Sequence, residues 1–267
     1  MDDRPIGMFD SGFGGLTVAR ALIDLLPAED VVYVGDTGRY PYGPRDLGEV
    51  RRFAHQITET LVDEIGVKLV VVACNTASAA GLDDLQDRFT VPVLGVISPG
   101  ARAAISATRT GRVGVIGTVG TIASGAYQRE VQADGVTLVC AACPGFVEFV
   151  ERGETASEQV HVLAERLLEP VIRARVDTLL LGCTHYPFLA RTIADVVGRD
   201  VVLVSSADET AFEARAILER TGIGAARAGP GRHRFISSGD VSEFRRLGRR
   251  LLGPELDVDV ESRSWGP

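Results

Sequence analysis

Eight short runs in this chain are apolar almost without a break, at residues 6–9, 31–34, 69–73, 93–96, 113–116, 136–139, 178–181 and 201–204. A strand with one wet face alternates apolar and polar side chains. These runs do not alternate, so both of their faces must be covered. Between them the apolar spacing changes to a helical period, at residues 16–26, 50–65, 77–89, 160–173 and 188–197. Strands and helices that alternate in this way build a parallel sheet with helices on both faces. The expected fold is therefore α/β and doubly wound.

The chain also repeats itself. Ile6-Gly7-Met8-Phe9-Asp10-Ser11 and Val113-Gly114-Val115-Ile116-Gly117-Thr118 share a pattern, each before a glycine-containing turn, at an offset of 107. Residues 69–76 match residues 178–185 at an offset of 109, and both segments carry a cysteine just past the apolar run. Two matches at nearly one offset predict two similar flavodoxin-like halves, related by a pseudo-two-fold axis, with a site in the cleft between them. After residue 207 come a helical pattern at 209–220, a strand-like 234–237, a second helical pattern at 241–252 and a short run at 256–260. This tail starts no third repeat and is expected to return to the first half. The expected domains are residues 1–97 plus 207–267, and residues 98–206.

Composition narrows the function. The 267 residues are 45% hydrophobic and 24% charged, as in an ordinary folded domain. The net charge of −8 argues against nucleic acid or an anionic membrane as a partner. The cluster Arg245, Arg246, Arg249 and Arg250 reads as a solvated helix face. No apolar stretch reaches membrane-spanning length, and the acidic start Met-Asp-Asp-Arg-Pro does not read as a signal peptide. Four cysteines in a chain this long are no disulfide scaffold. They read as reduced thiols, and a cytoplasmic location is expected.

In open α/β sheets ligands bind beyond the carboxyl ends of the strands. Asp10-Ser11-Gly12-Phe13-Gly14-Gly15 stands at one such end, where glycines allow a tight turn into a helix N-terminus. Alone it fits a plain turn as well as an anion site. Asp36-Thr37-Gly38-Arg39-Tyr40-Pro41-Tyr42-Gly43-Pro44 is a stiff loop, either a surface turn or a substrate wall. Cys74 and Cys183 each end a strand and precede a helix. Such a place exposes a thiol near a helix N-terminus, which favours thiolate. An ordinary thiol, with a pKa of about 8.5, is only a few per cent thiolate at pH 7. A helix N-terminus supplies roughly 0.3–1 kcal/mol, less than the about 1.4 kcal/mol needed per pKa unit. A neighbouring acid or base must complete the activation, and Asp10 and His185 are the candidates. Cys140 and Cys143 form a C-A-A-C pair that reads as structural, since no second pair completes a metal site. No metal is expected. His55, His161 and His233 fall in helical or edge-strand patterns without partner spacing.

Four motifs together resemble the bacterial glutamate racemases of the aspartate/glutamate racemase superfamily. They are Phe9-Asp10-Ser11-Gly12-Phe13-Gly14-Gly15, Tyr40-Pro41-Tyr42-Gly43, Ala73-Cys74-Asn75-Thr76-Ala77-Ser78 and Leu181-Gly182-Cys183-Thr184-His185-Tyr186-Pro187, in the family's order. His185 is similar to the glutamate branch, because aspartate racemases usually carry an acidic residue there. The resemblance implies cofactor-free interconversion of L- and D-glutamate, with D-glutamate going to peptidoglycan. One cysteine, as thiolate, removes the α-proton and the other, as thiol, returns one to the opposite face. It implies that Cys74 deprotonates D-glutamate with help from Asp10, and that Cys183 acts on L-glutamate with help from His185. It also implies that Asp10, Ser11, Pro41, Tyr42, Gly43, Asn75, Thr76, Thr184 and His185 line the substrate, with Thr118 and Thr121 from a Gly-Thr-x-Gly-Thr turn. A homodimer is expected. Other readings are an aspartate or other amino-acid racemase, and a glutamate-binding regulatory protein without activity.

The single lysine, Lys68, offers a check on cofactor use. A pyridoxal phosphate racemase needs a Schiff-base lysine. Lys68 starts the strand that ends at Cys74, so it lies at the far end of the sheet from the expected crevice.

Overall fold

The computed structural model describes residues 1–132, 135–227, 229–253 and 259–265. Among them, ten strands follow in chain order: β1 (Ile6–Asp10), β2 (Val31–Gly35), β3 (Leu69–Val72), β4 (Val93–Gly95), β5 (Arg112–Gly117), β6 (Thr137–Ala142), β7 (Thr178–Gly182), β8 (Val202–Ser205), β9 (His233–Ser237) and β10 (Val260–Ser262). They form two sheets, both wholly parallel, in the orders β10-β9-β2-β1-β3-β4 and β6-β5-β7-β8. The shared order β2-β1-β3-β4 and β6-β5-β7-β8 is the internal repeat made visible. The segments matched in sequence, β1 with β5 and β3 with β7, occupy equivalent places.

The helices are α1 (Leu16–Leu25), α2 (Leu47–Glu59), α3 (Asn75–Arg88), α4 (Ile97–Ala107), α5 (Val119–Ala123), α6 (Ala126–Glu130), α7 (Phe146–Arg152), α8 (Glu158–Arg173), α9 (Ala190–Val197), α10 (Ser206–Thr221) and α11 (Val241–Leu252). Met8 and Phe9 are neighbours on β1, so they face opposite sides of the sheet. Both are fully buried, Met8 among residues of α1 and α10 and Phe9 among residues of α2 and α3. That is why β1 reads as unbroken apolar sequence. The tail returns to the first sheet as expected: α10 packs on α1, and β9 pairs with β2.

Several expectations need correction. The runs at 136–139 and 201–204 do not lie inside a sheet. They form the edge strands β6 and β8, where Thr137 and Val202 are exposed. His233 opens β9, which is flanked by β10 and β2 and is not an edge. Residues 50–65 are not one regular helix: α2 gives way to a π-helical turn at Thr60–Ile65, which ends at Gly66 in the left-handed region. Residues 186–189 form a 3-10 turn before α9. No helical pattern was expected over α4, whose first turn holds Ser98-Pro99-Gly100. Proline is tolerated there because first-turn amides have no helical partner. Most of the 256–260 run lies outside the described residues. Among those described, no helix is long and apolar enough to cross a membrane.

Candidate active site

The carboxyl ends of β1, β3, β5 and β7 open on one cleft of about 630 Å³, its mouth included. Asp10, Ser11, Pro41, Tyr42, Gly43, Cys74, Asn75, Thr76, Thr118, Cys183, Thr184 and His185 all line it. Thr121 does not. It is fully buried behind the wall, 2.9 Å from Thr118 Oγ1 and 3.3 Å from Thr76 Oγ1, and so holds two lining hydroxyls in place.

Each sheet's first loop packs on the other sheet's cysteine loop. On one side, a side chain at Gly14 would collide with Thr184 and His185, so only glycine permits this approach. On the other, Thr118 Oγ1 lies 3.0 Å from Thr76 Oγ1, and the Gly120 amide donates to Gly43 O at 2.9 Å. Asn75 Nδ2 also crosses, donating to Tyr127 Oη at 2.8 Å. The cleft is thus a product of both sheets, and neither one alone contains it.

Cys74 is the N-cap of α3 and is buried. The expectation of an exposed thiol with favoured thiolate fails here. Burial pushes the Cys74 thiol well above the ordinary range, and the Asp10 carboxyl adds to the rise. The amides of Ala77 and Ser11 oppose it without prevailing. Asp10 accepts from the amides of Gly12 and Gly15 at 3.1 Å through Oδ2. Its Oδ1 is buried without a hydrogen-bond partner, as is Asn75 Oδ1. Burial raises the Asp10 carboxyl, while His185 and the turn amides pull it back.

Cys183 is also buried, but its surroundings differ. Its Sγ lies 3.9 Å from His185 Nδ1, and His185 Nε2 lies 3.3 Å from Glu151 Oε1 on α7. Burial works against a charged imidazole. The contacts with Cys183 and Glu151 overcome it and carry the His185 pKa up to about 10. His185 therefore lies between a sulfur and a carboxylate, in contacts that favour its protonated form.

Sequence reading missed Glu151, 34 residues from His185, and Glu148 at the wall, and named Tyr40 only as part of its loop and motif. It placed Cys143 in the structure alone, yet Cys143 lines the cleft beside Tyr186. All four cysteines are free. Behind the wall, buried Asp36 accepts from Arg39 Nε at 2.7 Å, from Tyr42 Oη, from Ser238 Oγ at 2.6 Å and from Trp265 Nε1 at 2.7 Å. The end of the chain thereby helps to hold the Tyr42 loop. Lys68 lies where expected, at the opposite end of β3, buried and 2.6 Å from Glu29 Oε2. Among the described residues no group of three His, Cys, Asp or Glu could hold a metal.

A family model for Asp/Glu/hydantoin racemase matches residues 6–214. A glutamate racemase of Acidothermus cellulolyticus is 54% identical over 258 residues, covering 96% of this chain and 98% of that one. The crystal structure of glutamate racemase isoform RacE1 from Bacillus anthracis superposes with a TM-score of 0.92 at 42% identity, covering 100% and 98% of the two chains. A glutamate racemase of Francisella tularensis, solved with D-glutamate, gives a TM-score of 0.90 at 31% identity, over 100% and 98%. With the motifs in order, two thiols on one cleft and these likenesses over nearly its whole length, the chain belongs to the Asp/Glu/hydantoin racemase family, among its glutamate racemases.

Proposed function

We propose that this protein interconverts L- and D-glutamate by moving the α-proton between Cys74 and Cys183. The observation that carries the reading is the pair of buried thiols at equivalent strand ends, both opening on one cleft. A thiolate takes the proton as the α-carbon–hydrogen bond breaks, and the electron pair passes into the adjacent carboxylate. The opposite thiol then gives its proton to the other face and is left as thiolate. This is general acid–base work by matched groups, which exchange roles with direction. Cys74 acts on D-glutamate beside Asp10, and Cys183 on L-glutamate beside His185.

The unpartnered acceptors Asp10 Oδ1 and Asn75 Oδ1 suit an ammonium group, and its positive charge would offset the burial of Asp10. The hydroxyls of Ser11, Thr76, Thr118 and Thr184 suit the two carboxylates, with Pro41, Tyr42 and Gly43 closing the wall. D-glutamate bound to the Francisella relative supports the choice of substrate. A pyridoxal Schiff base is disfavoured, because the single lysine, Lys68, is committed to Glu29 at the far end of the sheet. We further assign domains of residues 1–97 plus 207–267 and 98–206, a cytoplasmic homodimer, and supply of D-glutamate to peptidoglycan.

The test is incubation of pyridoxal-free protein with L-glutamate in D₂O. Optical rotation should decay to zero as the α-proton signal disappears. Persistent rotation without exchange would overturn the activity, and a preference for aspartate would overturn the substrate.

A further inference from the structure

Tyr40 follows β2 of the first sheet, yet its side chain meets residues of the second. Its ring centroid lies 6.3 Å from that of His185, at 33° between planes. The ring also meets Phe13 in a T-shaped contact at 6.3 Å. A Cβ at Gly12 would come within 3.0 Å of the Tyr40 ring, so the glycine turn after β1 makes room for it. The hydroxyl at the end of this ring is buried and makes no close hydrogen bond, and the Glu151 carboxylate is the acceptor within its reach. Of the charges around it, Glu151 acts on it most strongly, and burial with that carboxylate keeps the phenol protonated. Glu151 is the same carboxylate that faces His185 Nε2.

A buried hydroxyl without a partner is costly, and a protonated phenol can only relieve that cost by donating to an acceptor. Glu151 can accept from two groups at once. We propose that Tyr40 is a positioning residue of the Cys183 side. Its hydroxyl donates to Glu151, while its ring backs His185. The carboxylate is then fixed from both sides, and His185 is aimed at Cys183. A residue that follows β2 of the first sheet thus helps to hold the base carried by the second. This rests on the glutamate-racemase reading, since it describes how one base of that reaction is held.

Tyr40→Phe removes one oxygen and keeps the ring, so the fold should survive. The expected result is a kcat lower by about tenfold, the scale of one hydrogen bond to a charged group, with KM for glutamate within about twofold. Tyr40→Leu should lose more, because the support behind His185 goes too. In a Glu151→Gln background, Tyr40→Phe should slow the enzyme by less than about twofold, since residues acting through one another do not add. Unchanged kcat in Tyr40→Phe, or a loss that multiplies with that of Glu151→Gln, would overturn the proposal. A Tyr40→Phe chain that melts well below the parent would also overturn it, by assigning the hydroxyl to stability. The parent protein runs in the same assay. An inactive parent sinks the racemase reading, whereas an active parent with an unaffected Tyr40→Phe sinks this inference alone.

Discussion

The two thiol sides of the cleft are built to one plan and tuned differently. Cys74 caps the fourteen-residue helix α3 and lies beside a carboxyl, Asp10. Cys183 precedes a 3-10 turn and lies beside an imidazole whose pKa is raised by its contacts with Cys183 and Glu151. Burial and Asp10 therefore disfavour thiolate on the Cys74 side, while the Cys183 side has an imidazole at hand. The repeat sets the two thiols at equivalent strand ends on one cleft. The neighbours, which are not repeated, make the two sides chemically distinct, with a carboxyl beside Cys74 and an imidazole beside Cys183. The proposed two-thiol reaction would thus run in an asymmetric site.

The sharpest way to break this comparison is to remove each thiol. Cys74→Ala and Cys183→Ala should each cut net racemisation by about 10⁴-fold, the upper range for a general acid or base, in a polarimetric assay. Substantial activity in either would end the two-thiol assignment. Next come the partners. Asp10→Asn and His185→Gln should each cost about 10²-fold in kcat/KM, but only His185→Gln should remove an alkaline limb near the His185 pKa of about 10 from the pH profile.

The same residue makes a stability prediction with a definite sign. The folded pKa of His185 lies above its ordinary value of 6.5, so its contribution to stability is complete below pH 6.5. It is lost as the pH rises through about 10. Between pH 7 and 10 the melting temperature should fall more in the parent than in His185→Gln. Equal falls would show that His185 is neutral in the fold.

The smallest effect belongs to the loop that serves the wall without touching the thiols. Trp265→Phe removes the donor to Asp36 but keeps an aromatic ring near Arg39, whose Cζ lies 5.2 Å from the Trp265 centroid. We expect KM to rise about threefold with kcat unchanged, as for one modest hydrogen bond acting on binding alone. A change in kcat instead would tie this loop to the proton transfer.

Much of this was legible in the chain itself. Strands covered on both faces announce themselves as unbroken apolar runs, because burial acts on every residue of the strand. The cysteines at 74 and 183 stood out because the repeat set them 109 residues apart at equivalent strand ends. Edge strands were misread for the same reason. The Val- and Leu-rich run in β8 is as apolar as a central strand, although Val202 is exposed. The setting of Cys74 was not legible, because the helix N-terminus is a local feature, whereas the burial that outweighs it there is not.

By itself, then, the sequence determined the α/β class, the doubled architecture, the two thiols and most of the cleft's wall. All of these follow from periodicity and from motifs a few residues long. Only the tertiary structure decided that Glu151 faces His185, that Tyr40 reaches it from the other sheet, that Cys143 joins the wall and that Trp265 steadies Asp36. These are meetings of residues between 34 and 229 positions apart. No local pattern records them, because the chain brings them together only when two separately layered sheets close on a shared cleft.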